Sequence, residues 1–216
     1  MIQKNLKLLL VGGVIPSART EALVAGVMAA LWLILITFLH IIKRELKPSS
    51  HMISEYAIKP KGWIMQTAFF CMAVSCFSLV VATWPYVSHV GLVLLAIDGL
   101  AFLGAGVFVT DPLSMTKRAE TQSGFLHNIF SFIVIPLFPV TATVVGIGMA
   151  NNSIWSSVHA WLPVLYVLTW GGFIGFIGSA VYSAKHQSRP VVGYFQRFMV
   201  LTYAAWLIVI SLSMTL

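Results

Sequence analysis

Charge is what this sequence has least of. Of its 216 residues, 9% are Asp, Glu, Lys or Arg and only six are acidic, against about 25% charged residues in soluble globular domains. Beside a hydrophobic content of 59%, that shortage excludes a water-soluble domain, and it excludes extended disorder, which needs low apolar content. Cysteine is almost missing too, and two residues are too few for a secreted disulfide scaffold. Cys71 and Cys76 lie five apart in one apolar run, where a helix sets them about 140° apart on its surface, so they cannot bond to each other. With no CxxC or Cys/His spacing they read as small packing hydrophobes. Sixteen glycines are too few for a collagen-like repeat. Also missing are the G-x-S-x-G elbow, the Walker A loop, G-x-G-x-x-G and the EF-hand loop, which argues against serine-elbow hydrolases, nucleotide-driven pumps and Rossmann dehydrogenases.

What the sequence has in quantity is long apolar runs. Crossing a hydrocarbon core of about 30 Å takes roughly 20 mainly apolar residues, and six stretches qualify: 21–42, 62–84, 87–110, 125–149, 158–183 and 192–214. The links at 85–86 and 151–157 are too short to be domains, so consecutive helices must be antiparallel neighbours. The expected fold is all-α, a polytopic membrane bundle of six transmembrane helices over 21–216. Residues 1–20 read as an uncleaved N-terminal interfacial segment, because their apolar run ends at Pro16 and no A-x-A-like site follows.

The net charge of +7 does not indicate nucleic acid, because the basic residues fall between apolar runs and form no stripe interleaved with aromatics. They face anionic lipid headgroups instead. Nine lie in the three longer connections: Lys43, Arg44, Lys47, Lys59, Lys61, Lys117, Arg118, Lys185 and Arg189. The opposite side carries Lys4, Lys7 and Arg19. By the positive-inside rule the longer connections are cytoplasmic and both termini lie outside. Trp84, Tyr86, Trp155 and Trp161 at the outer boundary, with Trp63 and Tyr194 at the inner one, fit an aromatic belt. Gly99, Gly104 and Gly106, and the row Gly171, Gly175 and Ser179, predict close helix contacts within the bundle. Pro136 and Pro139 predict a kink in the fourth span.

Any chemistry must come from the few ionisable groups. In the first longer connection His51 and Glu55 stand at i, i+4, a spacing that on a helix can clamp a metal or couple an acid to a base. The second begins Thr110-Asp111-Pro112 and leads to Gly124-Phe125-Leu126-His127. Hairpin order brings these two connections to the same membrane face, so His51, Glu55, Asp111 and His127 form a candidate catalytic rim. His51, His127 and Asp111 are candidate ligands of a divalent metal. Each also has a structural reading: Asp111 before Pro112 as a helix N-cap, His127 as a donor to a loop carbonyl, and His51–Glu55 as a surface ion pair worth little. Asp98 lies about 20 Å along its helix from Asp111 and belongs to another site. An intramembrane acid points to proton coupling or to binding a polar ligand head, or else to a carboxyl bonded inside the bundle, and it should face inward.

The stretch from His51 to Ala57, then Gly62-Trp63, the segment Gly106-Val107-Phe108-Val109-Thr110-Asp111-Pro112, and Gly124-Phe125-Leu126-His127 together resemble a prokaryotic six-span membrane family filed as domain of unknown function 998. The likeness covers roughly residues 20–214. Ser54, Tyr56, Asp111 and His127 match the family pattern, with Glu55 beside them, and Ser54 and Tyr56 join Asp98 as candidate ligand-binding residues. Where the family often has Pro, this chain has Val109. The chain is more loosely similar to the eukaryotic Frag1, DRAM and Sfk1 group, linked with lipid homeostasis. The resemblance implies a fold and an inner-membrane location more than an activity.

Three readings of function follow. The first is a membrane protein that binds a lipid or prenyl ligand, or serves as a subunit of an assembly or homo-oligomer. The second is an intramembrane enzyme of hydrolase or cyclase type on a lipid or isoprenoid. The third is a proton-coupled carrier resting on Asp98.

Overall fold

The computed structural model describes residues 16–58, 60–112, 120–150, 152–186 and 191–215. Six long helices account for most of them: α1 Pro16–Ile42, α2 Trp63–Thr83, α3 His89–Val107, α4 Gln122–Ala150, α5 Leu162–His186 and α6 Val192–Thr215. Short 3₁₀ turns at Ile53–Ala57 and Ser153–Val158 sit in two of the connections. All six helices are long and apolar enough to cross a membrane, and no strand occurs among the described residues. The six expected runs match these helices to within a few residues at each end, except that α1 starts at Pro16. Proline suits a first helical position because its missing N–H would have no partner there. Residues 16–20 of the expected interfacial segment are therefore the first turn of α1, and the rest of it lies outside the described residues.

Each helix packs on its neighbour in sequence, and α1 also packs on α6, which closes the ring. Local chemistry sets the boundaries. The Ser88 hydroxyl accepts the Gly91 N–H to cap α3, and Thr121 does the same for Gly124 at the start of α4. Gly62 lies so close to the Ala57 carbonyl that no Cβ fits between them, which explains a glycine beside Trp63. Small residues admit large ones elsewhere, as expected where lipid supplies no hydrophobic drive between helices. The Phe130 ring lies on Gly104 and the Phe77 ring on Gly99.

Through the centre runs a column of stacked aromatic rings. Phe102 and Phe138 stack at 5.5 Å, Phe138 and Tyr203 at 4.5 Å, and Tyr203 and Trp206 at 5.6 Å. α4 continues as one helix through Pro136 and Pro139. It is tied to α5 by the Trp170 Nε1–H, which donates to the Thr143 hydroxyl at 3.1 Å.

Two expectations need correction. Trp155 is not a belt residue but a fully buried plug, edge-on to Tyr86 at 5.7 Å, because the second 3₁₀ turn folds it under the bundle's end. Trp84, Trp161, Trp63 and Tyr194 are exposed as belt residues should be. In the row on α5, Gly175 does make a close approach, to the Phe195 ring, but Gly171 meets nothing within 4 Å, and Gly172 beside it closes on the Met199 backbone instead. Cys71 and Cys76 are buried and free.

Candidate functional site

The first connection is held by a side chain that belongs to the last helix. Arg197, on α6, is 7% exposed. Its Nη1 donates to the Pro48, His51 and Gly193 carbonyls at 2.9, 2.7 and 3.0 Å. Nε donates to His40 Nε2 at 2.8 Å, and Nη2 to the Tyr56 hydroxyl at 3.3 Å. The His40 ring also contacts the Ile36 carbonyl through Nδ1 at 2.7 Å, so the tautomer consistent with both contacts carries its proton on Nδ1. Tyr56 is wholly buried, with its ring 5.1 Å from His40. A Cβ at Gly193 would strike the Pro48 and His51 carbonyls, so this glycine lets the connection dock on α6.

A second buried cation lies on the other side of Tyr56. The Lys43 amine donates to the Tyr56 carbonyl at 2.8 Å and to the Ile58 carbonyl. Burial pushes this amine below its ordinary value of 10.5, with Glu45 pulling partly the other way. Glu55 is buried and accepts the Met52 N–H at 2.8 Å, capping its own 3₁₀ turn. His51 is half-buried, and its ring contacts the Lys47 carbonyl and the Ser50 hydroxyl, both at 3.3 Å.

The second connection is a clasp between α3 and α4. Asp111 accepts both the Thr121 N–H at 2.8 Å and the Thr121 hydroxyl at 2.9 Å. Gly124 lies against this carboxylate so closely that a Cβ would overlap it. Asp111 thus secures a helix start, that of α4, through the residue that caps it. The Val109 N–H donates to the Ser123 hydroxyl at 2.9 Å, a bond that Pro could not make. His127, 2% exposed, contacts the Phe108 carbonyl through Nδ1 at 2.8 Å and the Ala105 carbonyl at 3.2 Å, and stands edge-on to Phe69. Both carbonyls lie where α3 ends and lacks donors of its own, so Nδ1 is the donor and Nε2 carries the lone pair.

The four rim residues are thus engaged separately: Asp111 with Thr121, His127 with the end of α3, Glu55 with Met52, and His51 with Lys47 and Ser50. Among the described residues, no group of three or more His, Cys, Asp or Glu side chains is placed to hold a metal ion.

Asp98 faces inward and is fully buried. One carboxyl oxygen accepts the Tyr203 hydroxyl at 2.6 Å, and the other has no hydrogen-bond partner. The Thr141 hydroxyl is near enough to act on the carboxyl but makes no hydrogen bond of good geometry.

Two concavities adjoin the Arg197 cluster. One is an interior cavity of about 50 Å³ whose polar lining is Ser54, His127, Ser131 and Gln196. The other is a groove of about 200 Å³ between α1 and α6, lined by Trp32, Leu33, Ile36, Thr37, His40, Ile53, Arg197 and Leu201. Trp32 and Ile53 line both. The groove is apolar along most of its wall and cationic at one end.

A family model described as "Protein of unknown function (DUF998)" matches residues 24–213, that is, all six helices. The chain belongs to this family. No curated protein and no solved structure matches it. The segments that carry the family resemblance turn out to be places where backbone meets backbone or a side chain closes a connection: Gly62 on Ala57, Gly124 on Asp111, and His127 on the end of α3.

Sequence reasoning missed Arg197, His40, Lys43 and Tyr203. A signal for the first was present, because Arg197 is the only Lys or Arg inside any of the six apolar runs. Its partners came from three separate segments, so nothing in spacing could connect them.

Proposed function

We propose that this integral membrane protein binds an amphipathic membrane lipid in the groove between α1 and α6. One observation carries the reading: the groove joins an apolar wall to a polar end made by His40 and Arg197, and Thr37 and Leu201 at its mouth are exposed where acyl chains would lie. Its 200 Å³ is below the roughly 300–1,000 Å³ of complete small-molecule sites. It therefore takes a headgroup and the first carbons of a chain, the remainder staying in the bilayer. The topology that suits this reading places the connections at 43–61, 111–124 and 184–191 in the cytoplasm, as the distribution of Lys and Arg favours, with the polar end of the groove at the inner leaflet of a prokaryotic inner membrane.

The test is lipid retention. Native mass spectrometry of the purified full chain should show bound lipid, and Leu201→Trp, which fills the mouth, should remove most of it. Equal retention by both proteins would end the reading.

The enzyme reading keeps one observation in its favour: the His127 lone pair and the Ser54 hydroxyl belong to walls of one cavity. It would gain from altered membrane lipid composition in a His127→Ala strain matching that of a deletion strain. The carrier reading has Asp98, and the assembly reading has the poorly covered face of α5.

A further inference from the structure

The groove lies beside an unusual charge. Arg197 is buried, and every hydrogen bond it makes is to an uncharged acceptor: three carbonyls, an imidazole nitrogen and a phenol. No carboxylate is paired with it among the described residues. A guanidinium has five N–H donors. Nε uses one, Nη1 shares two among three carbonyls, and Nη2 uses one on Tyr56, which leaves one Nη2 hydrogen without a partner among the described residues. Burying an uncompensated charge is costly, and carbonyl dipoles offset that cost only in part. Lys43, across Tyr56, is also held by carbonyls, though Glu45 acts on its charge, and Arg44, Glu45 and Lys47 nearby are exposed.

Resting on the lipid-binding reading, we propose that the groove selects an anionic phospholipid of the bilayer, with its phosphate drawn to Arg197 and its first acyl carbons along Trp32, Ile36 and Leu201. Charge complementarity decides the class: among the described residues the groove's lining holds a buried cation and no carboxylate to meet a zwitterion's ammonium. Guanidinium is also the side chain best matched to phosphate oxygens. The apolar wall and the exposed mouth decide the source, because a free phosphate would gain nothing from Leu33, Ile36 or Leu201, whereas a lipid already in the leaflet reaches the groove sideways.

The experiment reconstitutes the full chain in nanodiscs of phosphatidylcholine doped with phosphatidylglycerol and counts the lipids retained on gentle release into a mass spectrometer. The wild type should retain phosphatidylglycerol with a preference on the order of tenfold over its share of the bilayer, as one charge-assisted hydrogen bond allows. Leu201→Trp, which leaves the guanidinium and its bonds in place, should abolish that preference. Arg197→Gln should also lose it, but it can loosen the 43–58 connection, so the Leu201 variant carries the decision. If the wild type retains both lipids in proportion to the bilayer and Leu201→Trp releases both, charge selection is overturned while lipid binding stands. If Leu201→Trp changes nothing, both fall.

Discussion

Tyr203→Phe isolates the polar contact at mid-membrane. Phenylalanine keeps the ring, so the stacks on Phe138 at 4.5 Å and Trp206 at 5.6 Å persist, and the change removes only the hydroxyl that Asp98 accepts at 2.6 Å. Because the other carboxyl oxygen already has no partner, the variant leaves a buried carboxyl with no hydrogen bond of good geometry. Stranding a buried polar group costs about 1–3 kcal/mol. Intramembrane hydrogen bonds measured by double-mutant cycles average about 0.6 and reach about 1.7 kcal/mol. A short bond between two fully buried groups belongs at the upper end, so we expect a loss of about 1–2 kcal/mol. Unfolding of the purified chain by SDS in mixed micelles, followed by circular dichroism, measures it. Asp98→Ala strands the Tyr203 hydroxyl instead, and the double variant removes both partners, so it should cost less than the two single losses added together. If those losses add to within about 0.5 kcal/mol, the two groups are not coupled and the contact is no fixture of the fold.

Gly124→Ala should open the Asp111 clasp, since its Cβ would overlap the carboxylate. The expected loss is about 1–3 kcal/mol for forced overpacking, and Asp111→Ala in the same chain should restore part of it, as thermal unfolding would report. Lys43 gives a pH dependence. Its amine is pushed below 10.5 in the folded protein, so in the window between the folded value and 10.5 the unfolded chain binds the extra proton, and stability rises as pH climbs toward 10.5. Lys43→Met should flatten that rise in SDS titrations repeated across alkaline pH, and an unchanged slope would remove Lys43 as its source. Reporter fusions at Leu216 should behave as exported rather than cytoplasmic, and the opposite result would reverse the orientation proposed for the groove.

The helices were legible in the sequence because membrane burial writes itself into composition: six apolar runs at the right length leave little choice. The connections were legible only as a list of polar residues. His51 and Glu55 suggested a shared helical face, but the 3₁₀ turn begins at Ile53, after His51, and Glu55 bonds back to the Met52 N–H, because a connection outside the long helices must satisfy its own backbone donors. Asp111 was read both as a cap and as a rim acid, and its carboxylate serves Thr121, ten residues on. Arg197 stayed hidden for a different reason. Its value lies in carbonyls, which every residue has and no sequence pattern displays. Trp155 was misplaced because position near a span's end gives depth in the membrane but not the direction a side chain takes.

The contact between the first and last helices also governs how this chain is made. Spans emerge from the ribosome in order, N-terminal first, yet the partner of Asp98 and the residue that fastens the first connection are both on α6. A chain with five spans inserted therefore exposes a carboxyl lacking its phenol and a loop lacking its arginine, while the side of α1 that α6 will cover lies open. A membrane protease or chaperone that reads unpaired polar groups would meet them in every nascent copy and in every truncated one. Completion of the sixth helix removes those marks together, so closing the ring hides in one step what the five-span intermediate exposes.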